Sequence, residues 1–339
     1  LWLEAPGVVL EAPRPHGLAP DVLRAWGERV AWMCAAVGWT ETALTVRSHA
    51  AGSSLAFTAP SDALMSATCV NEWALQTAAE ECGAPYDWSS LEEERLPLEQ
   101  AEALAQLREM IAREKESPPE DARPIAARSM PVALVTGSNG KTTTTRLIAA
   151  MLTAAGYRVG YTCTDGVFIG GDAVERGDWS GPAGARRVLE DPSVTAAVLE
   201  TARGGLLRRG LVVPRADVAV ITNIAADHFC EYGVDSLADV AAAKGVVAQA
   251  LSNEGTLILN ANDETLVAHP PRTAARVEWF GDAARASGLL PPVAEMPIAM
   301  GGHASYNIAN AEAAARAARA LGVAPATITE TLRSFGRSN

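Results

Sequence analysis

Cysteine is thinly spread in this chain. Five cysteines, Cys34, Cys69, Cys82, Cys163 and Cys230, are scattered over 339 residues, and no two form a C-x-x-C pair. That spacing excludes a zinc knuckle, and an odd, scattered set implies reduced thiols, so a cytoplasmic setting is expected. Long apolar runs are missing as well. None approaches the roughly 20 residues of a bilayer-spanning helix, so no membrane association is expected. No secretory signal is read at the start. The first residue is Leu1 rather than Met, so the natural chain is expected to begin earlier. Positive charge is the third shortage: 28 Lys and Arg stand against 40 Asp and Glu, a formal net charge of −12. A binder of nucleic acid needs basic surface, so nucleic acid is excluded as a partner. A nucleotide held in a local pocket is not.

What is present is ordinary for a globular protein, with 48% hydrophobic and 20% charged residues. The length suffices for two or three domains with a substantial core. Six of the eight tryptophans, Trp2, Trp26, Trp32, Trp39, Trp73 and Trp88, fall in the first 88 residues, where Lys and His are scarce. "APDVLRAWGERVAWMCAAVG" reads as an amphipathic helix with Leu23, Trp26, Val30 and Cys34 on one face. "DALMSATCVNEWALQTAAEECG" reads as a second helix, stopped by Gly83. "LEEERLPLEQAEALAQLREMIAREKES" reads as a charged helix or helix pair, and "PPEDARP" as a linker. These signals predict a Trp-rich N-terminal domain over 1–125, mainly helical or α+β, with no assigned role.

Beyond the linker the pattern changes. "PVALVTG", "YRVGYTC", "TAAVLET", "ADVAVITN" and "GTLILNAN" are short runs, apolar on both faces, alternating with helix-like segments. Parallel strands covered by helices read this way. The expectation is a doubly wound α/β domain with a mostly parallel sheet from about 126 to 320. Each run ends in a polar residue, and such sheets bind ligands at the carboxyl ends of their strands.

One of those ends carries "LVTGSNGKTTTTRLIAAML". A strand feeds Gly137-Ser138-Asn139-Gly140-Lys141-Thr142-Thr143, and a helix follows. Glycines let backbone N–H groups turn inward around an anion, and the helix N-terminus adds partial positive charge. Lys141 would meet the β- and γ-phosphates of a bound nucleotide, and Thr142 would offer its hydroxyl to Mg²⁺. Gly137 stands only three residues before Gly140, so the loop is shorter than the G-x-x-x-x-G-K-[ST] spacing. A helix cap followed by Thr-rich surface would explain the residues singly, but not strand, loop, lysine and helix together. The phosphate loop also fits another P-loop phosphotransferase, such as a kinase.

"TGSNGKTTT" resembles the phosphate loop of the Mur ligase family, and the likeness extends over about residues 126–335. Within the family, "ETARGGLLRRGL" (200–211) and "DGVFIGG" (165–171) are most similar to the Mur-like C-terminal part of cyanophycin synthetases. The resemblance implies an ATP- and Mg²⁺-dependent ligase that activates a carboxylate as an acyl phosphate for attack by an amine. It implies that Glu200, at a strand end where an unpaired carboxylate is costly, holds the first Mg²⁺ with Thr142. Asp227-His228 resembles the family's Asp-His pair, with His228 a ligand of a second metal. Lys244, sixteen residues on, matches a lysine that many members carbamylate and use for that metal. The chemistry is sound, because a buried lysine that loses its proton adds to CO₂ and becomes an anion. Asn223 follows a strand, and "NANDE" (260–264) resembles a strand-end run of the family. In "GGHASYNIANAEAAARAA" His303, Asn307 and Asn310 stand at a helix start, with the Asn307 position implied to contact adenine. Asp165, the stretch Asp178-Trp179-Ser180-Gly181 and the arginines Arg203, Arg208 and Arg209 are candidates for meeting the amino-acid-bearing substrate.

The chain departs from the family in two places. The ATP-grasp half that precedes the Mur-like part of cyanophycin synthetase is not read in residues 1–125, and the family's C-terminal domain is not read after "LRSFGRSN". The partners expected are therefore an amino-acid or peptide substrate and either an ATP-grasp enzyme or a second copy of the chain. If such an enzyme is required, the chain is a Mur-like nucleotide-binding subunit.

Overall fold

The structure, a computed structural model, describes residues 7–14, 17–49, 52–60, 62–84, 96–116, 125, 129–209, 211–226, 234–281 and 288–336. The linker run 118–124 and the Asp227-His228 pair lie outside these residues. The chain forms two compact units, residues 1–123 with 228–235, and residues 124–227 with 236–339.

The first unit is α+β. Strands β1 (Gly7–Pro13), β2 (Leu44–His49) and β3 (Gly52–Thr58) form an antiparallel sheet in the order β1-β3-β2. Helices α1 (Pro20–Ala36), α2 (Leu64–Glu81) and α3 (Gln100–Glu116) complete it. Pro20 opens α1, where its missing N–H costs nothing. The buried face of α1 is Val22, Trp26, Val30, Met33 and Cys34. Leu23, expected on that face, is only half-buried, and Val22 takes the core position. Trp26 is fully buried, and its indole N–H donates to Asn71 Oδ1 at 2.9 Å, so its polar edge is satisfied. Helix α2 has no cap of its own. Glu114 of α3 accepts from Met65 N (2.8 Å), Ser66 N (2.9 Å) and the Ser66 hydroxyl (2.7 Å), satisfying the orphan donors of the first turn. The three strands carry weak alternation and are not legible in the sequence.

The second unit holds the expected sheet. It has eight strands in the order β11-β10-β9-β4-β8-β5-β6-β7. Five of them are the apolar runs of the sequence: β4 (Val132–Thr136), β5 (Val159–Cys163), β8 (Ala196–Glu200), β9 (Ala216–Ile221) and β10 (Leu251–Asn260). They pair in parallel, as does β11 (Arg276–Phe280) on β10. The hairpin β6 (Gly166–Ile169) and β7 (Asp172–Arg176) adds an antiparallel edge. Every residue of β4 and β8 is buried, as a covered parallel strand requires.

The covering helices are α4 (Lys141–Ala154), α5 (Pro182–Leu189), α6 (Arg203–Arg209), α7 (Leu237–Gly245), α8 (Glu264–Ala268), α9 (Ser305–Ala320) and α10 (Pro325–Ser334). Alanines of α9, among them Ala311, Ala314, Ala315 and Ala318, are buried in one core with Leu147, Ile148 and Met151 of α4, and small side chains let the two helices approach closely. No helix among the described residues is long and apolar enough to cross a membrane.

Candidate functional site

The carboxyl ends of β4, β8, β9 and β5 meet around the loop 137–143. Gly137 (φ +143°) and Gly140 (φ +81°) take backbone angles that side chains disfavour. A Cβ on Gly137 would lie 1.9 Å from Thr222 Oγ1, and one on Gly140 would lie 2.2 Å from Asn310 Oδ1. Both glycines are therefore needed for close approach as well as for their φ.

The loop is pinned from β9. Asn139 N donates to Asn223 Oδ1 (2.9 Å), and Asn223 Nδ2 donates to Asn139 O (3.1 Å). Thr222 Oγ1 donates to Asn139 O (2.5 Å), and Ser138 N donates to Asn223 O (3.0 Å). Ala225 N donates to Ser138 Oγ (2.9 Å). A further layer holds this strand end in turn: Asn260 Nδ2 donates to Thr222 O (2.9 Å), and Asp263 accepts from Ile224 N (2.6 Å) while capping α8 through Leu266 N (2.9 Å). The strand-end run 260–264 thus braces the loop 137–143.

Lys141 opens α4, and its Nζ donates to Ser138 O at 3.0 Å. Beside it, Thr142 Oγ1 donates to Glu200 Oε2 at 2.8 Å and lies 3.1 Å from Thr164 Oγ1. Glu200 ends β8 and is 2% exposed. Burial raises its pKa above the ordinary 4.5. The Thr142 hydrogen bond, the Lys141 charge and the Thr164 backbone partly offset that, and the Asp178 carboxylate reinforces it. Its second oxygen, Oε1, is buried with no hydrogen-bond partner among the described residues. A divalent cation would satisfy that oxygen. The donors present, a hydroxyl and a carboxylate, are the hard oxygens Mg²⁺ takes alongside waters and phosphates. Among the described residues no cluster of three or more His, Cys, Asp or Glu could enclose a metal, so a cation here depends on ligands from outside that set.

Lys244 lies in α7, which a Ser236–Asp239 capping box starts, and its side chain is buried at 1% exposure. It is not a helix-surface lysine. The chain has three lysines in all, Lys115, Lys141 and Lys244, so the full burial of one sets it apart. His228, expected to share a metal with it, lies outside the described residues.

Next to the loop a cavity of about 570 Å³ is lined by Asn139, Gly140, Thr143, Asn223, Tyr306 and Asn307, among others. Asn307 Nδ2 donates to Ile298 O (3.0 Å). Asn310, buried, packs on Gly140. His303 is exposed just before α9. Of the substrate-side candidates, Asp165 pairs with Arg146 at 2.7 Å. Asp178 is turned onto its own loop, accepting from Ser180 N (3.0 Å) and Ser180 Oγ (2.6 Å). Arg203 is buried at the start of α6, whereas the side chains of Arg208 and Arg209 are outside the described set. Thr222, Thr164 and Tyr306 belong to this region and are not singled out by the sequence. Thr222 and Thr164 each lie one residue past a strand end, the position that could have flagged them.

The family model of the Mur ligase middle domain matches residues 135–318. Cyanophycin synthetase of Trichormus variabilis is 40% identical over 237 residues, covering 62% of this chain and 26% of that protein. The chain therefore spans about a quarter of the length of that relative. UDP-N-acetylmuramoylalanine–D-glutamate ligase of Acidobacterium capsulatum is 32% identical over 224 residues, covering 59% of this chain and 43% of that one. A solved structure of UDP-N-acetylmuramoyl-L-alanyl-D-glutamate–2,6-diaminopimelate ligase aligns with a TM-score of 0.52 at 18% identity, over 79% of this chain and 58% of that one. At that identity the likeness is one of fold.

Proposed function

The chain belongs to the Mur ligase family through its middle domain, and on that premise we propose that it is an ATP-dependent amide ligase of the cyanophycin-synthetase kind. The observation that supports this best is the pairing of Thr142 with Glu200 beside Lys141, with one Glu200 oxygen buried and unsatisfied. In this reading a substrate carboxylate oxygen attacks the γ-phosphorus of ATP, the bond to the β-phosphate oxygen breaks, and ADP leaves. An amine nitrogen then attacks the acyl carbon of the acyl phosphate, loses a proton, and expels phosphate.

Backbone N–H groups of residues 140–143, at the start of α4, cradle the phosphates. Lys141 swings from Ser138 O to the γ-phosphoryl oxygens, where negative charge is held in transfer. Thr142 and Glu200 would hold a first Mg²⁺, and His228 and a carbamylated Lys244 would hold a second. Mg²⁺, when bound, neutralises phosphate charge. Asn307 faces the base. The acceptor is an amino-acid or peptide carboxylate, of which an aspartate side chain is one example.

The test is ADP release by the purified chain against two panels, aspartyl peptides with arginine or lysine, and UDP-muramoyl peptides with their amino acids. Stimulation by the first panel is expected; stimulation by the second alone would reassign the substrate, and none by either would remove the ligase reading for this chain by itself. Running the assay in bicarbonate and in CO₂-depleted buffer checks Lys244. Activity should fall on depletion, and an unchanged rate would discard the carbamate alone.

A further inference from the structure

At the amino ends of β4 and β9 lies a second cavity, of about 380 Å³, a size suited to a small molecule. Val132, the first residue of β4, lines it, and the rest of that strand puts about 17 Å of chain between it and the loop 137–143. Its walls are of two kinds. Ile125, Leu189 and Leu321, none more than 8% exposed, give an aliphatic lining. Arg215 and Glu254 give one charge of each sign. Glu254 stands there because β10 is irregular. Leu251 pairs with Ala216 and Thr256 with Val218, so the residues between 251 and 256 bulge from the ladder, and Glu254 is one of them. Bulges of this kind re-aim side chains beside functional sites. Glu254 is exposed and makes no hydrogen bond or ion pair with any described residue. Asp217, also on the wall, is already engaged: Oδ2 accepts from Val132 N at 2.9 Å and Oδ1 from Arg215 Nη2 at 3.2 Å. That bond uses one of several guanidinium N–H groups, so Arg215 keeps donors to spare. The last residue of α9, Ala320, also borders the cavity, and a helix C-terminus favours a cation nearby.

We propose that this cavity binds a free aliphatic α-amino acid, with its ammonium on Glu254, its carboxylate on Arg215 and its side chain against Ile125, Leu189 and Leu321. Charges then alternate along Asp217, Arg215, the ligand carboxylate, the ligand ammonium and Glu254, so each ion faces an opposite one. A ligand without the ammonium leaves Glu254 unmatched, and one without the carboxylate leaves the spare donors of Arg215 to water. The site lies at the opposite end of the sheet from the loop 137–143 and does not depend on how that loop is read.

Calorimetry with L-leucine, L-leucinamide, N-acetyl-L-leucine and glycine, run on the chain without nucleotide, tests it. Leucine should bind. Leucinamide lacks the carboxylate, N-acetyl-leucine the ammonium and glycine the side chain, and each should bind about tenfold more weakly or worse, the scale of one lost charge-assisted hydrogen bond or buried aliphatic group. Arg215→Ala and Glu254→Ala should each weaken leucine by a similar factor. Both variants should melt with the wild type, because Glu254 is exposed and the Arg215 side chain, 62% exposed, makes only a surface pair. No leucine binding to the wild type at millimolar concentration would overturn the proposal. Leucinamide or N-acetyl-leucine binding as tightly as leucine would overturn it by showing that the charged ends are not read. Leucine affinity unchanged by both substitutions would overturn it by placing the ligand elsewhere.

Discussion

Two carboxylates are buried almost equally in the α/β unit and are treated in opposite ways. Glu312 of α9, 1% exposed, is fully engaged: Arg316 donates to Oε1 at 3.1 Å, and Gly281 N reaches Oε2 at 3.3 Å. Arg316 also approaches Glu278 of β11 at 3.7 Å, and Arg319 and Arg276 close on Glu278 at 2.8 and 2.6 Å. That network ties the edge strand to the helix. Glu200, 2% exposed, has one oxygen on Thr142, while the other lacks a hydrogen-bond partner among the described residues. Burying a charge is tolerated when every oxygen is matched; leaving one unmatched is costly in the apo protein. The chain satisfies Glu312 fully and leaves one Glu200 oxygen without a partner among the described residues, a partner that a bound cation would supply.

The largest effect expected at the Glu200 end is on chemistry. Lys141→Ala should lower ATP turnover by about 10²–10³-fold or more, the scale of losing one preorganised donor to developing charge. The fold should survive, because the bond Lys141 Nζ makes is to the carbonyl of Ser138 in its own loop. ADP release and far-UV circular dichroism, measured together, check it; near wild-type turnover would break the assignment of the loop.

At the other carboxylate the expected effect is on stability. Glu312→Gln removes one partner of a buried pair and leaves Arg316 facing Glu278, which two other arginines already share. Breaking such a pair costs about 3 kcal/mol. Urea unfolding should show that loss while ATP affinity stays as in the wild type. A loss of ATP affinity without a loss of stability would mean that Glu312 belongs to the functional end of the sheet after all.

Much of the functional end is legible in the amino-acid sequence. The runs that form β4, β5, β8, β9 and β10 announce themselves because a strand covered on both faces is apolar at nearly every position. The places of Lys141, Thr142 and Glu200 are legible because each stands at or just past the carboxyl end of a strand, where such sheets bind ligands. The N-terminal sheet is not legible. β1 and β2 are largely half-buried and mix Glu11 and Arg47 with aliphatics, so neither alternation nor a continuous run stands out. The hairpin β6–β7 hides for a related reason, since β7 is an exposed edge and reads as loop. Thr222 escapes because its bond to Asn139 O depends on which loops meet, which no local pattern encodes. Asn139 and Asn223 are 84 residues apart and still hold each other.

The smallest effect expected is the most direct measure of the cost of the unmatched Glu200 oxygen. Its pKa in the folded apo protein is raised above the ordinary 4.5, chiefly by burial. Between that ordinary value and the raised one, the unfolded chain has released the proton and the folded chain still holds it. The folded state then binds more protons, so stability falls as pH rises through this window. Below the window both states are protonated and the penalty vanishes. Glu200→Gln cannot ionise and should lack this decline, so the variant should gain stability over the wild type as pH rises and match it at the acid end. Mg²⁺ with a nucleotide should erase the difference in the wild type by giving Oε1 its missing partner. Thermal unfolding of both proteins across the acid-to-neutral range, with and without Mg²⁺ and ATP, is the measurement. A wild type whose profile parallels that of Glu200→Gln in every condition would show that the unpartnered oxygen carries no strain, and the contrast with Glu312 would dissolve.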